Sequence, residues 1–470
     1  MNFLYALLVS LALFGLSFPL IKVYQLENYR VKNFLKNVFK FNLSFGEKNR
    51  LVFTKRLKRM LFCHFFLIFV LFLLIFYLIR NVYIELGLIF SGIILLPLLI
   101  LLSHFLILPF EEFLKKRYIK KAKKKLENMP CKTIAITGSF GKTSTKNILL
   151  EILARKFKVC ATPKSYNTPM GICRTILNDL SPLDDFFVVE MGARHRGDIA
   201  FLCDLVGVDY GILTPVGLCH IETFKNLSNV EKTKFELCEN VKNFVVINGK
   251  SASSMKLFEK CDKKKYLIGK ENSFAYATRE RCVGGRSTFQ LNIDGKSVSV
   301  STNLLGRANI DNIVLASSVA YLLGVNLVDI KSGIEKLTPV PHRLELIKGF
   351  ATVIDDSYNS NFDGFCEALL VLNSFVGEKI LVTPGMVELG EEQEKLNRLV
   401  AKEIAKVCDV VVVMNKVNKK ALREGLQEAG FNMKNVFYAN SRKEQKEILK
   451  KIVNKNSVIL FENDLPDNYR

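Results

Sequence analysis

The sequence of 470 residues lacks several features that would place it in a common class of protein. Its 11 cysteines are scattered singly without a CxxC pair, which argues against zinc sites and disulfides and favours structural thiols in a reducing compartment. No RNA- or DNA-binding motif accompanies the 67 Lys and Arg residues, which outnumber the 45 Asp and Glu residues. We therefore expect no nucleic-acid partner and look elsewhere for the acidic partner that the excess of positive charge implies.

Long apolar runs dominate the first quarter of the chain, and no small-residue cleavage pattern follows the first of them. Each run is close to the roughly 20 residues that a membrane-spanning helix needs. Basic residues are dense from Lys22 to Arg59 and from Lys115 to Lys125. The positive-inside rule then predicts an external N-terminus, a multi-pass anchor in the cell membrane and cytoplasmic catalytic domains after Phe110. The three runs cover residues 3–22, 60–79 and 85–110.

The excess of positive charge is explained by membrane lipid, because the densest basic runs flank the apolar segments. Residues 29–45, in which Lys and Phe alternate, are equally compatible with a solvated loop and with an amphipathic helix on the inner leaflet. Apart from His64 and His104, the runs contain almost no ionisable residues. A transport pathway through the membrane is therefore disfavoured.

A change of pattern at Cys131 marks the start of an α/β region. The apolar segment KTIAIT predicts a short buried strand, GSFGKTST a glycine-rich turn and KNILLEILARKF a helix. Gly138 and Gly141 would let backbone N–H groups approach phosphate oxygens, Lys142 would bind the β- and γ-phosphates, and Thr143 would place its hydroxyl on Mg²⁺. The full Walker pattern needs glycine where this chain has Ile136, so the loop matches the shorter TGSxGKT form.

Seven further motifs follow the phosphate loop in a fixed order, and together they resemble the Mur ligases, most closely the MurF branch. The resemblance runs from residue 131 to about 450. It implies an α/β fold with a P-loop central domain and a Rossmann-like C-terminal domain. The motifs are YNTPMG at 166–171, VVEMGARHRGDI at 188–199, TPVGLCHIETF at 214–224, EKTKFELCEN at 231–240, LLGRANIDN at 304–312, PHRLELI at 341–347 and DDSYNSN at 355–361.

The resemblance also implies a reaction. In Mur ligases ATP phosphorylates a substrate carboxylate, an amine attacks the acylphosphate, and an amide, ADP and phosphate are released. MurF ligases add D-alanyl-D-alanine to a UDP-linked muramoyl tripeptide. We therefore expect ATP and Mg²⁺ as cofactors, with a cell-wall precursor and an amine such as D-alanyl-D-alanine as small-molecule substrates.

The resemblance assigns roles to individual residues. It implies catalytic roles for Lys142, Lys234 and His220, and metal ligation by Thr143, Glu190, His220 and Lys234, the last as a carbamate. The nucleotide contacts it implies are Gly138, Ser139, Gly141, Lys142, Thr143, Ser144, Asn309, Asn312, Arg343 and Asp356. The substrate contacts it implies are Asn167, Thr168, Tyr358, Asn359 and Asn361.

Five of these side chains also have a purely structural interpretation. His220 fits a structural histidine and Lys234 an exposed face of a charged helix. Asn309 fits a helix cap, Arg343 a surface ion pair and Asp356 a turn residue. Only the ordered set of motifs favours the functional interpretation.

Two departures from the MurF pattern bear on the substrates. Apolar spans take the place of the N-terminal domain that grips the UDP-sugar, so a lipid-linked precursor or a polymeric acceptor is an alternative. Gln393 and Asn397 stand where MurF commonly has Ser and His. The predicted domains are a transmembrane region at 1–110, a basic cytoplasmic linker at 111–130, a central ATP-binding domain at 131–343 and a C-terminal domain at 344–470.

Overall fold

A computed structural model describes residues 2–27, 29–39, 51–79, 81–219, 221–358 and 360–465. The chain divides into two compact units, one formed by residues 1–118 with the last six residues and the other by residues 119–464. The division falls within a helix, so each unit is described by itself.

The first unit is helical. Its helices are α1 (Asn2–Leu26), α2 (Val31–Phe39), α3 (Lys55–Leu78), α4 (Val82–Ile94) and α5 (Leu96–Glu127). Three of them, α1, α3 and α5, are long and apolar enough to cross a membrane. Large apolar side chains such as Phe62 and Tyr77 are exposed on their surfaces, as expected where lipid is the solvent.

The third predicted span differs from the expectation. The apolar run at 85–110 is divided between α4 and α5, which meet at Leu95. Pro97 explains the break, because it has no backbone N–H with which to continue the hydrogen bonds of α4. The basic segment predicted as a linker is helical as far as Glu127, as the continuation of α5.

Close packing holds this unit together. Gly92 of α4 approaches α3 so tightly that an added Cβ would lie 3.0 Å from the ring of Phe72. Helix α2 occupies part of the segment for which a loop and an amphipathic helix were both open, and its Phe34 is fully buried. Residues 40–50 lie outside the described residues.

The second unit contains two sheets. The larger has the order β2-β3-β1-β4-β5-β6-β7-β8-β9, parallel from β2 to β7 and antiparallel from β7 to β9. Its strands are β1 (Lys132–Thr137), β2 (Val159–Ala161), β3 (Phe186–Glu190), β4 (Tyr210–Leu213), β5 (Phe244–Asn248), β6 (Lys265–Ile268), β7 (Ala275–Val283), β8 (Arg286–Ile293) and β9 (Lys296–Thr302).

Eight helices accompany this sheet in the described part of the chain, and buried residues of the first and of the last two helices form one apolar core with the strands. Strands β1 and β3 are buried almost throughout, which is why they read as continuous apolar runs. The helices are α6 (Lys142–Leu153), α7 (Pro169–Asn178), α8 (Asp198–Val206), α9 (Ile221–Phe224), α10 (Leu227–Asn240), α11 (Ala252–Lys260), α12 (Arg307–Leu322) and α13 (Leu327–Glu335).

The smaller sheet has the order β10-β11-β15-β12-β13-β14, and only β10 is antiparallel to its neighbour. This arrangement confirms the predicted Rossmann-like unit, and with the larger sheet it confirms the α/β fold class. The strands are β10 (Glu345–Lys348), β11 (Thr352–Asp356), β12 (Glu378–Thr383), β13 (Val410–Met414), β14 (Val436–Ala439) and β15 (Ser457–Glu462). The helices are α14 (Phe362–Asn373), α15 (Gln393–Val407), α16 (Lys419–Glu428) and α17 (Arg442–Ile452).

Candidate active site

The predicted phosphate loop joins β1 to α6. Gly138 has φ 148° and Gly141 φ 78°, and a side chain at Gly141 would place its Cβ 2.5 Å from Oδ1 of Asn312. Both positions therefore require glycine for conformation and for space. Lys142 opens the helix, and its Nζ donates hydrogen bonds of 2.9 Å to the carbonyl oxygens of Gly138 and Ser139. The loop thus presents a helix N-terminus and an ammonium group to one cavity.

The hydroxyl of Ser139 is occupied by a neighbouring loop. It donates to the carbonyl of Gly217 at 2.9 Å and accepts from the backbone N–H of the same residue at 3.1 Å. Strand β4, which precedes Gly217, is paired with β1. The interaction ties the phosphate loop to the loop after β4, while Ser144 lines the cavity.

Glu190, at the carboxyl end of β3, is the centre of a buried polar cluster. Its Oε2 accepts a hydrogen bond of 2.9 Å from the Thr143 hydroxyl, and its Oε1 accepts one of 3.1 Å from Nδ2 of Asn167. The ammonium of Lys146 lies 3.3 Å from Oε2 and also donates to the carbonyl of Lys164. Two predicted metal ligands, Thr143 and Glu190, are therefore in contact.

Asn167 was predicted as a substrate contact, and its side-chain amide donates a hydrogen bond to Glu190.

Lys146 was not singled out from the sequence, although it lies inside the motif TGSFGKTSTK. Its side chain is only 1% exposed, so its charge is held next to Glu190 inside the protein. The missed signal is the second lysine of the motif, one helical turn after the first.

Lys234 projects from α10 into the same region. Its side chain is 2% exposed, and its Nζ lies 3.4 Å from the Thr137 hydroxyl at the end of β1. Burial, together with the positive charge of Lys142, lowers the pKa of Lys234 to about 7. The alternative of an exposed helix face is therefore wrong for this residue.

The donor set has the chemistry of a Mg²⁺ site. A hydroxyl from Thr143 and a carboxylate from Glu190 are hard oxygen ligands of the kind Mg²⁺ prefers. Lys234 would join them only after conversion of its amine to an anionic group. His220, the remaining predicted ligand, lies outside the described residues.

Asn309 and Asn312 lie in the first turns of α12. The helix has Gly306 at its N-cap, so Asn309 is not the cap, and its Nδ2 donates instead to the carbonyl of Leu305 at 2.8 Å. Oδ1 of Asn312 accepts from the Thr145 hydroxyl at 3.2 Å. Both residues line the cavity beside the phosphate loop.

Arg343 links the two sheets of the second unit. Its Nη2 lies 3.5 Å from the Thr143 hydroxyl, and its guanidinium carbon lies 4.3 Å from the centre of the Tyr358 ring. The Tyr358 hydroxyl donates to Oγ of Ser165 at 3.1 Å. Arg343 forms no salt bridge within the described part of the chain, so the surface ion pair is not observed.

A pair of carboxylates lies behind this contact. Asp356 and Glu462 are directly opposite each other on β11 and β15. Burial raises the pKa of Asp356 to about 6, and burial and the charge of Asp356 raise the pKa of Glu462 further above its usual value. Asp356 accepts from the backbone N–H of Leu344 at 3.1 Å, and Ser360 donates to Glu462 at 2.5 Å. Asp356 is thus a strand-end residue that lines the cavity, rather than a turn residue.

Two predicted substrate contacts also begin helices. Thr168 accepts from the N–H of Gly171 at 3.3 Å as the N-cap of α7, and Asn361 accepts from Gly364 at 3.0 Å as the N-cap of α14. Each of these caps satisfies a backbone donor that the helix itself cannot pair. Asn359 lies outside the described residues.

A single cavity of about 640 Å³ collects most of these side chains. Its size falls within the range of about 300–1,000 Å³ that is usual for small-molecule sites. Residues of both sheets line it. They include Gly138, Ser139, Gly141, Lys142, Thr143, Ser144, Asn167, Thr168, Glu190, Lys234, Asn309, Asn312, Arg343, Asp356, Tyr358 and Asn361.

Comparison with known families explains this arrangement. Residues 136–320 match the Mur ligase middle domain, and residues 342–462 match the Mur ligase glutamate ligase domain. This chain belongs to the Mur ligase family.

Individual Mur ligases show similarity over the same region. UDP-N-acetylmuramoyl-tripeptide--D-alanyl-D-alanine ligase of Escherichia coli (strain K12) is 30% identical over 296 residues, which cover 62% of this chain and 65% of that protein. The MurF ligase of Thermotoga maritima in complex with ADP superposes with a TM-score of 0.67 at 26% identity, covering 74% of this chain and 80% of that one. MurF of Acinetobacter baumannii has a TM-score of 0.68 at 24% identity, covering 74% and 77%. The chain matches less than two thirds of the length of the Escherichia coli relative.

The C-terminal domain of this Mur ligase departs from the MurF pattern at two positions with structural roles. Asn397 is fully buried, and its side chain both accepts from the N–H and donates to the carbonyl of Met386, at 2.8 and 2.9 Å. Gln393 donates to Oδ1 of Asn418 at 3.0 Å. Both side chains therefore brace the loop after β12.

Proposed function

We propose that this Mur ligase forms an amide bond at the expense of ATP, adding D-alanyl-D-alanine to a muramoyl tripeptide through an acylphosphate. One observation carries the proposal. A phosphate loop, a buried carboxylate–hydroxyl pair and a buried lysine lie in one cavity, which Arg343, Asp356 and Tyr358 also line. The similarity to ligases named for this reaction supports the choice of substrates.

The first task of the site is to bring two anions together. The acceptor carboxylate and the γ-phosphate repel each other, and the ammonium of Lys142 offsets that repulsion. Mg²⁺ would be held by Thr143, Glu190, His220 and the carbamate of Lys234, and when bound it would neutralise charge on the phosphate oxygens. Release of Lys142 from the carbonyls of Gly138 and Ser139 frees its N–H donors for the nucleotide.

The reaction then follows from this juxtaposition. A carboxylate oxygen of the acceptor bonds to the γ-phosphorus, and the bond from that phosphorus to ADP breaks. The amine nitrogen then attacks the acyl carbon, and the C–O bond to phosphate breaks. The proton that the nitrogen loses ends on the departing phosphate. Arg343 stacks on Tyr358 and lies 3.5 Å from the Thr143 hydroxyl, so it would shield the acylphosphate from water on that side.

The apolar helices suit a ligase held at a membrane. We propose a multi-pass anchor in the cell membrane, with the ligase domains cytoplasmic and the basic residues of α5 next to anionic lipid headgroups. The domain limits proposed are 1–110 for the membrane region, 111–130 for the basic segment, 131–343 for the central domain and 344–470 for the C-terminal domain. No nucleic-acid partner enters the proposal.

A Mur ligase that uses a lipid-linked or polymeric acceptor and another amine is the second candidate. It is favoured by the partial match to the Escherichia coli relative and by the separate helical unit formed by residues 1–118. A transport ATPase is disfavoured, because His64, an ionisable residue within α3, is hydrogen-bonded to Oγ of Ser103 at 3.0 Å in the helix packing. That contact gives His64 a structural role.

The choice of acceptor is tested by phosphate release from ATP by the full-length protein in detergent. D-alanyl-D-alanine is supplied with either UDP-N-acetylmuramoyl-tripeptide or a lipid-linked muramoyl tripeptide. We expect turnover with the UDP-linked form. Turnover with the lipid-linked form alone would replace the MurF-type assignment with the second candidate.

A further inference from the structure

The loop after β3 carries two basic side chains that the assigned roles do not use. Arg194 and His195 are exposed and line the cavity, whereas Arg196 is exposed on the same loop and does not line it. The loop is firmly held. The N–H groups of Arg194 and His195 both donate to Oδ2 of Asp198 at 2.8 Å, and that of Gly197 donates to Glu236 at 2.7 Å.

The position of this loop separates it from the proposed nucleotide contacts. Strand β3 lies between β1 and β2 in the sheet. The phosphate loop follows β1, whereas Asn167 and Thr168 follow β2, so Arg194 lies between the phosphate loop and the side predicted to receive the acceptor. The guanidinium group of Arg194 has no salt-bridge partner among the residues that the structure describes. An uncompensated cation facing a cavity is suited to an anionic ligand.

The same cavity also has apolar lining. Phe201 of α8 lines it and is 44% exposed, and the adjacent Leu202 lines it as well. A cavity lined by a guanidinium group and by an exposed aromatic ring fits a ligand that has both an anionic group and an apolar backbone or side chain. Guanidinium groups bind carboxylates and phosphates with two parallel hydrogen bonds, which fixes orientation as well as affinity.

We propose that Arg194, assisted by His195, forms a subsite for a second anionic group of the acceptor, distinct from the carboxylate that reacts. The proposal rests on the proposed function and extends it to acceptor specificity. The anionic group is either a further carboxylate of the peptide or a phosphate of the carrier. Both would be recognised by the same guanidinium, and the experiment below separates them.

The test compares three variants of the full-length protein in detergent: Arg194→Met, Arg194→Lys and, as the matched control, Arg196→Met. Steady-state KM values are measured for ATP and for UDP-N-acetylmuramoyl-tripeptide, together with direct binding of the same acceptor by calorimetry. Loss of a charge-assisted hydrogen bond predicts that Arg194→Met raises the acceptor KM and Kd by about 10- to 100-fold. The KM for ATP and all values for Arg196→Met should stay within about twofold, with Arg194→Lys intermediate.

Two modified acceptors identify the group that is bound. One has its non-reacting carboxylates amidated, and the other is a muramoyl tripeptide without the UDP moiety. The acceptor that lacks the recognised anion should bind the wild-type protein more weakly by the same factor and lose nothing further with Arg194→Met, because the interaction is already absent. The other acceptor should still respond to the substitution.

Three results would overturn the subsite. These are an unchanged acceptor KM and Kd in Arg194→Met, an equal increase in Arg196→Met, or an equal further loss with every modified acceptor. If wild-type protein turns over the acceptor in any of these cases, only the subsite is lost. If wild-type protein neither binds nor uses the acceptor, the proposed function fails with it.

Discussion

Replacement of Lys142 by alanine is expected to reduce ATP-dependent amide formation by about 10³-fold or more, because no other side chain of the phosphate loop supplies a positive charge to the transferring phosphoryl group. The loop itself should keep its shape, since Gly138 and Gly141 set its conformation. The measurement is the rate of amide product by mass spectrometry, together with phosphate release, at saturating ATP and acceptor.

Lys132→Ala is the matched control. Lys132 begins the strand that leads into the loop, and its side chain is exposed. Its activity should equal that of the wild-type protein, and both variants should unfold at the wild-type temperature. Activity retained by a folded Lys142→Ala protein would remove the assignment of the phosphate loop.

Replacement of Lys234 by alanine is expected to lower the rate by about 10²- to 10³-fold, because under the proposed function Lys234 carries a carbamate and the site would lose that anionic group. Only a neutral amine reacts with CO₂ to give a carbamate. With a pKa of about 7, the Lys234 amine is mostly neutral above pH 7 and mostly charged below it. Short carboxylates such as acetate or propionate would replace the lost anionic group. They should restore part of the activity of the alanine variant.

The pH dependence gives an independent arm of the same test. In the wild-type protein, added bicarbonate should stimulate the reaction at pH 8, and activity should fall as the pH decreases through about 7. Lys232→Ala is the control, since Lys232 lies on the same helix with an exposed side chain. Equal activity of Lys234→Ala and Lys232→Ala would contradict a role for Lys234 in the site. Loss without rescue by carboxylates would contradict the carbamate.

Local patterns were sufficient to predict the part of the fold that forms the phosphate loop. The strand, turn and helix expected around GSFGKTST are β1, the loop and α6, because burial on both faces of β1 produces a continuous apolar run and because φ values above zero select glycine. Four short apolar segments of the C-terminal unit, each of which predicts a strand, are likewise strands β12 to β15: KILVTPG, DVVVVMN, NVFYAN and SVILFEN. The α/β class follows from the alternation of such strands with helices. The resemblance to the Mur ligases follows from the order of the quoted motifs.

Contacts between distant segments could not be predicted in this way. Lys146 appears from the sequence to be one more helical lysine, and only the fold brings it to Glu190, 44 residues away. Arg343 and Thr143 are 200 residues apart, and their approach depends on how the second sheet packs. Asn397 stands at a position expected to bear on the substrates, yet it is fully buried and its side chain is hydrogen-bonded to the backbone of Met386.

The predicted spans show a different limit. Hydropathy identified the apolar run at 85–110 but not its division into two helices, because Pro97 is as apolar as its neighbours and acts through its missing N–H. Roles assigned to His220 and Asn359 remain predictions, since both residues lie outside the described part of the chain.

The transfer of oxygen from acceptor to phosphate tests the central claim most directly. The acceptor UDP-N-acetylmuramoyl-tripeptide is labelled with ¹⁸O in its reacting carboxylate and incubated with the full-length protein, ATP and D-alanyl-D-alanine, and the released phosphate is analysed by mass spectrometry. The account predicts one ¹⁸O atom in each phosphate released, in step with amide formation, because a carboxylate oxygen becomes the bridge of the acylphosphate. Phosphate that is released without ¹⁸O while ATP is consumed would show that water, and not the carboxylate, attacks the γ-phosphorus, and would contradict the assignment of this chain as an acylphosphate-forming ligase.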